Sequence, residues 1–182
     1  MAEIGHNRGP SMDGGASWRR HCWAAARERL LPTLPIEVVR LRVRRAKELG
    51  LDYKTYAGVR AATGHDVVAF LFSSNALRMS LARPAMPVDR ALKLEGLLCG
   101  RLALAVAPLT PEVAKAENPV VDAAFPAPFA LAAIGEMRDR VRAALGKMPG
   151  DQVILVGDLG HERDRCAAGR LAGYLPAERY FG

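Results

Sequence analysis

Two polar clusters hold the side chains with chemistry to offer. FLFSSNALR places Ser73, Ser74 and Asn75 at the end of an apolar run, and GDLGHERDRC places Asp158, His161, Glu162 and Asp164 at the end of another. Hydroxyl and amide groups in that position can hold a phosphate or a polarised carbonyl, with His65 or His161 as the base of a hydrolytic step. The carboxyl ends of strands are also where α/β enzymes gather ligand chemistry. A catalytic set drawn from these clusters is Ser74, Asn75, Asp158 and His161, and it requires the two runs to end beside one another around a single pocket.

Spacing limits what these residues can do. No GxSxG elbow precedes the serines, neither a GxGxxG nor a P-loop motif occurs, and Gly157 with Gly160 does not complete a dinucleotide fingerprint. His161 and Glu162 are adjacent and cannot share a helix face, whereas His161 and Arg165 can, so a metal pair would need distant partners. Asp and Glu at a helix start also complement its dipole, and Ser and Asn after a strand also close turns. Cys22, Cys99 and Cys166 stand too far apart for a paired-ligand motif or a disulfide framework. The sequence therefore predicts no metal and no cofactor, and it keeps a small α/β hydrolase or transferase as an alternative function.

The elements that must position these groups follow from periodicity. Val67 to Phe72 is β-branched and aromatic enough for a buried strand, although Asp66 could instead cap a helix toward Met79; Val153 to Val156 makes a second strand, and Leu102 to Ala107 is a further candidate. Val88, Ala91, Leu92, Glu95 and Leu98 fit a helix that stops at Gly100, and Phe129, Ala133, Met137, Val141 and Leu145 fit another. Thr110-Pro111-Glu112 has a hydroxyl cap, a proline at the first turn and an early negative charge, which together start a short helix. The expected fold is α+β or small α/β, mainly helical, with two short buried strands and a helix-turn-helix-like segment. Residues 1–16 read as a flexible arm, Ser17 as the cap of a helix through Leu30, and 17–182 as one domain with a proline-rich crossing at 117–128.

Lys and Arg number 26 against 19 Asp and Glu, a formal charge of +7, so a polyanionic partner is electrostatically plausible. The stretch RVRRAKELGLDYKTYAGVRAATG, Arg42 to Gly64, carries the strongest local pattern. Ala46 takes a small crossing position, Gly50 follows four residues later, Leu49 and Leu51 flank the turn, and Val59 returns nine residues after Gly50. In these respects the segment resembles a helix-turn-helix DNA-binding module. The resemblance implies that Lys54 and Thr55 reach base edges or phosphates and Arg60 the backbone, while Arg40, Arg44 and Lys47 neutralise phosphates. The leading expectation is thus a small DNA-binding regulator on duplex DNA, acting as a homodimer so that two footprints add.

GYLPAERYFG offers Leu175, Tyr180 and Phe181 as anchors for docking the tail onto its own body or onto a second subunit. A further alternative is therefore an interaction or adaptor protein, with Arg40 and Arg44 steering an acidic partner. The N-terminal MAEIGHNRGPSMDGG lacks an apolar signal core, and no segment offers about 18 uninterrupted apolar residues. The expectation is a cytoplasmic chain with reduced thiols and no membrane partner.

Overall fold

A computed structural model of the chain describes residues 34–182. The flexible arm at 1–16 and the helix expected from Ser17 lie outside the described residues. Arg40–Gly182 forms one compact unit, and its organisation starts from two runs buried on both faces. AFLFS, Ala69–Ser73, and VILVG, Val153–Gly157, have every residue buried, the pattern of central strands in a parallel sheet covered by helices on both sides. They are β1 and β4. Between them in sequence come β2, Gly100–Ala105, and β3, Ala123–Pro126, and β5 is Gly173–Pro176.

All four strand pairings are parallel and the spatial order is β3-β2-β1-β4-β5. In register, Leu71 lies between Leu102 of β2 and Leu155 of β4. Parallel neighbours need crossovers, which helices supply. Val88–Glu95 (α3) joins β1 to β2, Pro111–Ala116 (α4) joins β2 to β3, Ile134–Leu145 (α5) carries the chain from β3 back to β4, and Glu162–Gly169 (α6) leads to β5. Ahead of the sheet stand α1, Ile36–Glu48, and α2, Tyr53–Thr63; α7, Ala177–Phe181, ends the chain.

Strand alternation divides the core in two. Phe70, Phe72, Ala103, Ile154 and Val156 point to the face covered by Leu94 of α3, Tyr56 of α2 and Tyr180 of α7. Leu71, Leu102, Leu104, Val153 and Leu155 meet Val141, Ala144 and Leu145 of α5 on the other face. The expectation of a mainly helical fold with two short strands is overturned by this five-stranded parallel sheet. Edge strands β3 and β5 have only four residues each and end in Pro126 and Pro176, so neither shows a strand period.

The helix-turn-helix resemblance is also corrected. The two helices and their turn exist: Gly50 makes the turn at φ +62°, and Asp52 caps α2 by accepting from Thr55 N at 2.9 Å. Instead of standing as a separate module, the hairpin spends its apolar face on the sheet, with Ala46, Leu49, Leu51 and Tyr56 buried in the core on the Phe70 and Phe72 face. Arg45 and Tyr56 then anchor it to Asp66, just before β1, at 3.0 and 2.8 Å.

Candidate functional site

The order of strands reverses between β1 and β4: from β1 the chain builds outward through β2 and β3, then returns to start β4 on the other side. Ligands of open α/β sheets bind outside the carboxyl ends of strands at such a switch point. Both polar clusters of the sequence arrive there. After β1 the chain turns tightly, with Ser73 Oγ accepting from Ala76 N at 3.1 Å and Ser74 Oγ accepting from Val106 N at 3.0 Å. Ser74 N donates to Leu104 O at 2.9 Å, so this residue fastens the end of β1 to the end of β2. Both serines are wholly buried.

Asn75 turns the other way. Its Nδ2 donates to Glu162 Oε1 at 3.1 Å, and the second carboxylate oxygen accepts from Asp158 N at 2.7 Å and Leu159 N at 3.1 Å. Arg165 Nη1 donates to Glu162 Oε1 at 3.2 Å, and its Nη2 donates to Pro128 O at 3.1 Å. Glu162 and Arg165 are 0% and 1% exposed. Burial pushes the Arg165 guanidinium below its ordinary range, against the pull of Glu162. A buried ion pair persists when its remaining polar atoms are also satisfied, and the loop after β4, the Asn75 amide and Pro128 beyond β3 satisfy these. Gly157 leaves room for the arrangement: a Cβ there would come within 2.8 Å of Glu162 Oε2 and 2.7 Å of Tyr174 Cε2.

Over this network opens a cleft of about 630 Å³. Its walls are mainly apolar, from Ala105 at the end of β2 to Leu109, from Pro126 at the end of β3 to Phe129, and Leu159 after β4. The polar groups on it are few: Asn75, Thr110, Arg140, His161 and Arg165. A concave, mostly apolar surface with a small number of convergent polar groups is the usual form of a small-molecule site. No family model matches the chain, and neither a curated protein nor a solved structure does. The fold and the cleft therefore carry the functional argument.

Of the catalytic set read from the sequence, Asn75 and His161 line the cleft. Asp158 is exposed beside it and gives its backbone N–H to Glu162. Ser74 points its hydroxyl into the β1–β2 junction, away from solvent. Sequence reasoning named Glu162 but missed its role, and it overlooked Arg140; the Glu162/Arg165 spacing of three residues was the available signal for a helical pair. Among the described residues, no three of His, Cys, Asp and Glu gather where they could hold a metal.

The DNA-binding expectation fails where the parallel sheet claims the hairpin. Thr55, expected to reach bases, donates its hydroxyl to Asp52 Oδ2 at 2.5 Å and accepts from Arg179 Nη2 at 2.7 Å. The supposed recognition helix thus begins with a carboxylate and has the C-terminal helix at its entrance. Arg40, Arg44, Lys47 and Lys54 are exposed, and Arg60 is half-buried on α2; they decorate helices whose apolar faces serve the α/β core. The homodimer and adaptor expectations are corrected too, because the aromatic tail folds onto its own chain. Leu175 and Tyr180 are buried in the core, Phe181 packs partly against it, and Tyr180 OH donates to Leu49 O at 3.3 Å. No helix among the described residues is long and apolar enough to cross a membrane.

Proposed function

We propose that this chain is a small α/β domain of the hydrolase or transferase kind, which binds a small organic molecule in the cleft beyond the carboxyl ends of β1 and β4. The observation that carries the reading is the placement of Asn75 and His161 on one wall-lined cleft at the point where strand order reverses. The apolar walls would take the body of the ligand. Arg140, and the Asn75 amide held in place by Glu162, would orient a polar or anionic end. His161 is the group positioned to exchange a proton with the ligand. Covalent attack by Ser74 is not part of this reading, because a buried hydroxyl already engaged by Val106 N–H offers no approach to a substrate.

Chemical-shift mapping on the 15N-labelled chain against a set of small phosphorylated and carboxylated metabolites tests the proposal. Binders should move the Asn75 side-chain amide together with the backbone of residues 105–109. Replacing Asn75 with Ala should weaken binding, whereas His161→Ala should leave binding largely intact and abolish any turnover of the bound compound. Shifts confined to the helical hairpin, or no binder in the set, would count against the cleft as the working site.

A further inference from the structure

On the opposite side of the same sheet edge lies a guanidinium with two nitrogens that no group among the described residues meets with a hydrogen bond. Arg90 sits in the first turn of α3, the helix that follows β1, which sets it near the carboxyl ends of the strands. It is only 5% exposed, and its Nε and Nη1 are out of contact with solvent and have no hydrogen-bond partner. The guanidinium carbon stands 4.4 Å from the centre of the Phe181 ring. The Phe181 ring lies 6.1 Å from that of Phe72, the last residue but one of β1, which puts it near the same edge.

An arginine cannot shed its proton to escape burial, and its planar fork must find acceptors. A ring face attracts the cation but accepts no N–H in place of water, and that attraction is smaller than the cost of desolvating an unpaired charge. The nearby charges do not resolve this. Asp89 and Asp158 are close enough to favour the cation and Arg78 is close enough to oppose it, and with burial as the largest cause the group is held below its ordinary range. Neither carboxylate reaches bonding distance of Nε or Nη1. Arg78 is the exposed left-handed residue of the turn after β1, at φ +54°, which brings a second guanidinium to the same edge. The other buried arginine and glutamate of this edge, Arg165 and Glu162, instead hold one another, and both of the Arg165 Nη atoms have acceptors.

We propose that Arg90, backed by the ring of Phe181 and flanked by Arg78, is an oxyanion-binding residue that takes a phosphate or carboxylate group of a ligand at the carboxyl edge of the sheet. The acceptor missing from Nε and Nη1 is supplied by that oxyanion. This site faces the α3 and α7 side of the sheet and is separate from the cleft that Asn75 and His161 line, so it stands whether or not the cleft is catalytic.

The 15Nε–1Hε resonances of the full chain read the proposal directly. Titration with inorganic phosphate should shift one arginine resonance in a saturable way, and that resonance should be missing in Arg90→Gln. Acetate serves as the carboxylate probe, and a saturable shift of the same resonance by either anion supports the site while telling which oxyanion it prefers. Chloride at matched ionic strength should leave it in place. Arg78→Gln should weaken the response several-fold without removing the Arg90 signal, and Asn75→Ala should leave it unchanged. If Arg90 Nε–H responds to neither phosphate nor acetate, or shifts equally with chloride, the proposal is wrong. A melting temperature that rises with phosphate as much in Arg90→Met as in the parent chain would overturn it as well.

Discussion

Asn75 Nδ2 donates to Glu162 Oε1 at 3.1 Å, joining the turn after β1 to the first residue of α6 across 87 positions of sequence. One carboxylate thereby receives the amide, two backbone N–H groups and the Arg165 guanidinium. Removing Glu162 leaves a buried guanidinium whose only remaining acceptor among the described residues is Pro128 O. Glu162→Ala should therefore cost about 3–5 kcal/mol, the usual penalty for breaking a buried pair from one side. Equilibrium urea unfolding measures it. A double variant, Glu162→Leu with Arg165→Met, should recover part of that loss, because no charge is then stranded while the Asn75 amide and the Asp158 and Leu159 N–H groups still lose their acceptor.

Gly157→Ala tests the same network through space instead of charge. The added Cβ would need room now held by Glu162 Oε2 at 2.8 Å and the Tyr174 ring at 2.7 Å. Overpacking of this kind costs about 1–3 kcal/mol. Its diagnostic effect is on the site: ligand binding in the cleft should weaken along with stability, whereas Gly50→Ala, strained by its left-handed φ of +62° and set against Leu97 and Tyr180, none of which line the cleft, should lower stability alone. Denaturation and ligand titration on the two variants separate these outcomes.

The central part of this architecture is legible in the residues. AFLFS and VILVG are continuous apolar runs ending in turn residues, and Thr110 caps α4 through Val113 N as its hydroxyl and Pro111 suggest. The edges are not legible. AAFP and GYLP form strands because β2 and β4 offer them open ladders, and four residues closed by a proline show no strand period of their own. The Arg42 to Gly64 pattern misleads for a related reason. A small residue, a left-handed glycine and apolar returns specify a helical hairpin, and they are silent on whether its buried face meets a small module or a parallel sheet. At the site, residue types pointed to both strand ends, but the inward turn of Ser74 depends on Val106, 32 positions away, and no local pattern encodes it.

Stability should fall on the acid side through two aspartates. Burial acts to raise the Asp66 carboxyl, but hydrogen bonds from Tyr56 and Val67 N–H and the charge of Arg45 outweigh it and hold the group below the usual aspartate range. Asp122 behaves likewise: burial opposes, and Arg101 prevails through its side chain and its backbone N–H. For groups depressed by folding, the stabilisation is fully present above the unfolded pKa of about 3.9 and is lost as pH falls through the lower folded value. Urea midpoints measured at successive pH values should therefore drop below about pH 4. Asp66→Asn and Asp122→Asn should each flatten that limb, modestly, since both carboxylates are partly solvated.

The tail provides the remaining test. Tyr180 is 3% exposed, with ring centres at 5.1 Å to Phe70, 5.7 Å to Phe72 and 5.0 Å to Phe181. Lys93 donates to Tyr180 O and lies over its ring at 4.6 Å, so α3 and α7 clamp one another on the sheet. Burial, the largest cause, drives the phenol far above its ordinary range, consistent with a hydroxyl that serves Leu49 O and not chemistry. Tyr180→Ala should cost about 3–5 kcal/mol as an aromatic cavity, and Tyr180→Phe about 1 kcal/mol for the one hydrogen bond. Deleting residues 177–182 should lower the melting temperature while light scattering reports the same oligomeric state as the parent chain. A folded variant of lower oligomeric state would instead assign the aromatic tail to an interface between copies.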